Sequence, residues 1–168
     1  DRERLPARSG PDGVFVFEGL DVGSGQAYRV NVLYEGATYI STPFQLPADS
    51  GYTSRVRRLP VAHDAQQILQ FVAQTFIEVR DDRLHLLVQS QLVNIGDATY
   101  VFPAEGVRIR LPDGFVAFQS QAVMTDQHVE EESGYGLRIR GSLTPGSVTL
   151  AWGLDVPLSG SEATLRLG

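Results

Sequence analysis

The residues predict an all-β protein built as two antiparallel β-sandwich domains, 1–61 and 62–168. Apolar and polar residues alternate with period two along most of the chain, the mark of half-buried strands. Gly, Pro or Asp breaks the alternation every eight to twelve residues or so, which is turn spacing for an antiparallel sandwich. Only one short stretch, near Asp64, has helical character. Parallel α/β folds need a helix at each crossover and are therefore disfavoured.

The first domain opens on an Asp12-Gly13 turn that leads into the strand Val14-Phe15-Val16-Phe17. A glycine-punctuated loop, Gly19 to Gly25, follows. Ala27 to Tyr34 alternates, with Tyr28, Val30, Val32 and Tyr34 on one face. Glu35-Gly36 makes a tight turn into Ala37 to Ser41. Pro43 cannot donate to a ladder and marks an edge position. Ser54 to Leu59 reads as one more short strand.

Pro60, His63 and Asp64 mark the boundary, and Asp64 is placed to cap a helical turn over residues 65–69. Gln74 to Arg80 and Arg83 to Asn94 then form a hairpin around Asp81-Asp82. Strands are expected at Tyr100 to Phe102, Val107 to Leu111, Phe115 to Ala122, Gly136 to Arg140, Ser147 to Val156 and Ala163 to Leu167. The expected core is Phe15, Phe17, Tyr28, Val30 and Val32 in the first domain. In the second it is Leu86, Val88, Ile109, Leu150 and Trp152.

The chain has 168 residues, 42% hydrophobic and 20% charged, a globular balance. Residues 1–64 hold 7 Arg against 8 acids, and residues 65–168 hold 7 Arg against 12, so the halves carry −1 and −5. Every basic residue is Arg. With a net charge of −6, nucleic acid is not an expected partner, because phosphate binding needs a basic face. Arg55, Arg57 and Arg58 cluster locally and read as a solvated strand edge. No apolar run approaches the roughly 20 residues of a membrane span. The start, Asp1-Arg2-Glu3-Arg4-Leu5-Pro6, has no apolar signal segment. That leaves two readings, a cytoplasmic protein or a mature or excised piece of a longer one.

No constellation for catalysis stands out, so no catalytic, cofactor-binding or metal residue is assigned and no enzyme activity or cofactor is expected. Cysteine is absent, which removes thiolate chemistry and disulfides. His63, His85 and His128 lie far apart and lack metal-ligand spacing. Asp126, Glu130, Glu131 and Glu132 surround His128, but without the alternation of a calcium loop, and read as a solvated polar loop. There is no Gly-x-Ser-x-Gly elbow. The Gly19 to Gly25 loop lacks the lysine of a phosphate-binding loop and precedes a strand. Trp152 alternates with Leu150 and Leu154 and reads as core rather than a sugar platform.

The run Asp12-Gly13-Val14-Phe15-Val16-Phe17-Glu18-Gly19-Leu20, then Tyr28-Arg29-Val30-Asn31-Val32 and Tyr39 to Phe44, resembles a carboxypeptidase-regulatory-like (transthyretin-like) domain over about residues 8–60. The resemblance implies a prealbumin-like sandwich serving as a non-catalytic spacer or adhesion module outside the cytoplasm of a bacterium. Leu84 to Val88, Val93 to Asp97 and Tyr100-Val101 are similar to the immunoglobulin-like second module of bacterial envelope proteins.

The family's usual first strand has no counterpart in the polar segment that holds Pro6 and Pro11. An open edge in the first domain is therefore expected. The partner expected there is a protein strand from elsewhere or another copy of the chain. The expected function is a non-catalytic binding or structural module of the envelope. The alternatives are a surface-filament subunit joined by strand addition and an accessory carbohydrate-binding or hydrolase domain.

Overall fold

The computed structural model describes residues 4–120 and 127–158. The described residues are all-β, with no helix and several mainly antiparallel sheets. The chain divides into two compact units. The first is Asp1–Val30 with Ser41–Arg55, and the second is Asn31–Ile40 with Val56–Gly168. A boundary at residue 61 would have kept residues 31–40 in the first unit, whereas here they belong with the second.

In the first unit, β1 (Ala27–Tyr28) pairs antiparallel with β4 (Phe44–Gln45). Aromatic contacts follow from that pairing. Tyr28 and Phe44 lie 6.2 Å apart between centroids, and Phe44 stacks on Tyr52 at 4.2 Å. Phe15 and Phe17 meet edge to face at 5.9 Å. The Asp12-Gly13 turn forms, with Asp12 Oδ1 accepting from the Val14 amide at 3.1 Å, but residues 14–17 make no strand. Residues 54–59 make none either. Phe15, Phe17, Tyr28 and Val30 are half-buried rather than buried, and no described residue of this unit is fully buried. Two-residue strands offer too little facing surface to close a core.

The second unit begins with the hairpin β2 (Asn31–Tyr34) and β3 (Ala37–Ile40). Its turn has positive φ at both Glu35 (48°) and Gly36 (82°), the two-residue geometry whose twist suits a hairpin. Ala37 and Tyr39 are buried, and Val32 is half-buried. Tyr39 Oη donates to Leu59 O at 2.9 Å.

The longest strands follow. β5 (Val61–Ala62) precedes β6 (Ile68–Val79) and β7 (Arg83–Asn94). No helix forms over residues 65–69. Asp64 Oδ1 instead accepts from the Gln66 amide at 2.8 Å in a local turn, and β6 starts at Ile68. The chain continues through β8 (Thr99–Val101), β9 (Val107–Arg110), β10 (Val116–Ser120), β11 (His128–Glu132), β12 (Gly136–Arg140), β13 (Ser142–Leu143) and β14 (Gly146–Pro157). The 128–132 segment, expected as a polar loop, is a strand. The expected Ala163 to Leu167 strand and the Ala122 end of another lie outside the described residues.

A four-stranded sheet has the order β10-β14-β7-β6. Two three-stranded sheets run β11-β12-β9 and β13-β8-β5, with β5 and β8 parallel. One hydrophobic cluster draws on all three: Leu86, Leu150, Trp152 and Leu154 from the first, Leu137 and Ile139 from the second, Tyr100 and Leu143 from the third. Leu86, Leu150 and Trp152 are buried as expected, while Val88 and Ile109 are half-buried and pack against them. Alternation explains the set, because even-numbered residues of β7 and β14 share the inward face.

Candidate interaction edge

The four-stranded sheet places β6 at its edge. β6 pairs with β7 from Ile68↔Asn94 to Val79↔Leu84, and among the described residues nothing pairs with its other side. The strand is twelve residues long, well above a usual five or six, and presents a row of unpaired backbone donors and acceptors. Its register shifts once, between Gln70 and Val72.

The side chains make this edge unusual. Leu69, Phe71, Phe76, Ile77 and Val79 are all exposed, Phe71 and Val79 by 74% and 73%. Ile77 and Val79 sit opposite Leu86 and Leu84 on the inward face. Both partners on β7 are buried, so the apolar face continues onto β6, where it is exposed among the described residues. Phe76 sits opposite Leu87, itself 39% exposed, on the other face. No charged residue occurs from Ile68 to Ile77. Natural edges are usually short, charged, bent or covered. At the opposite edge of the sheet, β10 is irregular, with Ala117 at φ 53° and a register shift between Val116 and Gln119.

A charged cluster closes the hairpin end of this sheet. His85 Nδ1 lies 2.7 Å from Asp155 Oδ1, and Arg83 reaches Asp155 Oδ2 at 3.3 Å. Arg83 also holds Asp82 at 2.8 Å, and Arg80 holds Glu78 at 3.0 Å. The His85 hydrogen bond, more than Arg83, holds the Asp155 carboxyl below the usual aspartate range. The Arg80 hydrogen bond likewise depresses Glu78.

The other sequence candidates scatter. His63 is exposed in the connection ahead of β6, and His128 is exposed at the start of β11. Glu130 and Glu131 are exposed, and Asp126 lies outside the described residues. Glu132 is half-buried and bound by Arg108 and Arg138, each at 2.7 Å. Arg138 first, then Arg108, lowers its carboxyl below the ordinary glutamate range. These acids therefore do not converge, and among the described residues no group of three or more His, Asp or Glu is placed to hold a metal ion. Arg58 lies 4.0 Å over the Tyr34 ring. Trp152 is 5% exposed and lines no surface platform.

A pocket of about 150 Å³ opens beside the Ile68 end of β6, lined by residues such as Asp64, Gln67, Asn94 and Tyr100. That is below the roughly 300 Å³ at which small-molecule sites begin. The sequence reading began this strand at Gln74 and missed its first half. The signal was present in Ile68-Leu69-Gln70-Phe71-Val72-Ala73, an apolar run too short to separate strand from helix.

No protein-family model matches the chain, and no curated protein or solved structure is detectably similar to it. No helix among the described residues is long and apolar enough to cross a membrane.

Proposed function

We propose that the chain is a non-catalytic binding module that engages another polypeptide by strand addition at β6. One observation carries this reading: a twelve-residue edge strand, uncharged from Ile68 to Ile77, with five large apolar side chains exposed. Added strands gain affinity from main-chain hydrogen bonds and specificity from alternate side chains, and β6 offers both. The charged side chains near it are engaged with each other rather than turned toward a cleft, which favours binding over catalysis. A β-sandwich arrangement fits the single cluster shared by three sheets. The envelope setting outside the cytoplasm is supported by the resemblance over residues 8–60.

An array of twelve-residue peptides with alternating apolar and polar residues tests the reading, with backbone N-methylated versions as controls. Capture of alternating peptides, lost on N-methylation, is the expected result. Hydrogen exchange should then show alternate β6 amides protected only with peptide bound. Protection of those amides in the dilute, peptide-free protein would mean the edge is already covered, and the reading would fail.

A further inference from the structure

We infer that the partner strand at β6 is a short antiparallel one, apolar at alternate positions, that pairs with Ala73 to Val79 and no further. This rests on the reading of β6 as a pairing edge and names the chemistry of its partner. Two hydrogen bonds set the phase of the edge. At the hairpin end the Arg80 amide donates to Arg83 O at 2.9 Å, and at the far end the Ile95 amide donates to Gln67 O at 3.0 Å. Bonded and non-bonded positions alternate along an antiparallel pair. Counted along the register from both ends, Leu69, Gln74, Phe76 and Glu78 turn their backbone groups toward β7. Those of Ile68, Gln70, Ala73, Thr75, Ile77 and Val79 therefore point to the open side. The same six residues stand opposite the even-numbered, inward-facing residues of β7. On β6 the free backbone and the inward side chains thus belong to the same residues.

That coincidence dictates the partner. An added antiparallel strand bonds through the residues directly opposite the free positions, and their side chains share the inward face. Beside Ile77 and Val79 that face is the exposed margin of the core, next to buried Leu86 and Leu84. The bonded residues of the partner must therefore be apolar. Those between them lie opposite Gln74, Phe76 and Glu78 and face the other way. Antiparallel addition continues a sheet in which every described pairing is antiparallel. The bulge sets the length. Phe71 has no opposite number on β7, so the free positions Gln70 and Ala73 stand three residues apart instead of two. A regular strand in register with Ala73 to Val79 loses that register beyond Ala73.

The probe is a blocked nonapeptide, Ser-Val-Thr-Val-Gln-Val-Thr-Leu-Ser, titrated into the whole chain by calorimetry. N-methylation of its second valine should weaken binding about tenfold or more, because that amide is bonded to β6. N-methylation of its glutamine should leave binding unchanged, because that amide faces away. With peptide bound, hydrogen exchange should slow at Ala73, Thr75, Ile77 and Val79 and stay unchanged at Ile68 and Gln70. Thr75→Pro removes a free amide without breaking a bond to β7, so it should keep the fold and lose binding. Circular dichroism checks the fold, and the peptide comparison does not depend on that variant.

Loss on methylating the glutamine but not the valine would make the added strand parallel and overturn the inference, with the edge reading intact. Slowed exchange at Ile68 or Gln70, or a folded Thr75→Pro variant that still binds, would also overturn it. So would a nonapeptide that does not bind. If array peptides of another pattern then still protect β6 amides, the edge reading stands. Slow exchange at Ala73, Thr75, Ile77 and Val79 in the dilute, peptide-free protein would overturn both.

Discussion

His85 and Asp155 stand opposite one another on β7 and β14, with Nδ1 2.7 Å from Oδ1. An ionised carboxylate only accepts hydrogen bonds, so Nδ1 carries the proton. The bond, with help from Arg83, holds Asp155 below its ordinary value of 3.8. A carboxyl depressed on folding adds stability above its unfolded pKa and loses that stability as the pH falls through the folded one. Asp155→Asn should therefore lower the melting temperature at neutral pH. The gap to the native chain should close as the pH drops below the ordinary aspartate range. Thermal melts from neutral to about pH 3 check this, and a gap independent of pH would show that ionisation of Asp155 is not what stabilises the pair.

Asn94, at the end of β7, joins three backbone segments. It is 4% exposed. Its Nδ2 donates to Ala98 O at 2.8 Å and to Leu143 O at 2.9 Å, and its Oδ1 accepts from the Gly96 amide at 3.0 Å. Asn94→Ala strands buried carbonyls and should cost about 1–3 kcal/mol. Asn94→Asp should cost more, because a carboxylate would face two carbonyl oxygens without a donor. Urea unfolding ranks the two, and an aspartate variant as stable as the native chain would refute the assigned geometry.

Legibility in the sequence tracked how local the cause was. The β6–β7 hairpin at Asp81-Asp82 and the Glu35-Gly36 turn were readable, because turn chemistry and period-two alternation sit in adjacent residues. Leu86, Leu150 and Trp152 followed from the same alternation. The first half of β6 was ambiguous, since the register shift after Gln70 breaks the alternation there and leaves an apolar run too short to separate strand from helix. Residues 128–132 read as a solvated acidic loop because the arginines that bind Glu132 come from β9 and β12. The His85–Asp155 pair lies seventy positions apart and exists only through strand register. The open edge was expected in the first unit from a missing strand. Among the described residues the long strand with one side unpaired stands in the second, where only sheet order reveals which strand is last.

Trp152 is the chain's single tryptophan and is 5% exposed within the core cluster. Its indole N–H has no acceptor among the described residues. Trp152→Ala should cost about 3–5 kcal/mol through lost packing and the cavity left behind. Trp152→Phe should cost markedly less, since it keeps a ring and removes an unpaired buried donor. Circular dichroism during urea unfolding gives both values without needing the tryptophan signal. Equal losses in the two variants would mean that the N–H, not the ring, carries the stability.

Gly136 begins β12 with φ 151° and pairs with Arg110 on β9. A Cβ there would point into the neighbouring backbone, meeting Ile109 O and lying 2.6 Å from Leu111 N. Backbone cannot swing aside as a flexible side chain does, so β9 and β12 would have to separate. Gly134, two residues earlier, has φ 74° but open space around its missing side chain. Alanine at Gly134 should therefore cost only the left-handed backbone penalty, about 1–2 kcal/mol. Alanine at Gly136 adds the steric clash to its own backbone strain and should cost more. It should also loosen the Arg108 and Arg138 hold on Glu132, because those residues lie on the two strands being pushed apart. Paired urea melts measure the difference, and hydrogen exchange along β9 and β12 locates it. A Gly136→Ala variant no less stable than Gly134→Ala, with β9 amides still protected, would show that this strand contact is looser than its geometry states.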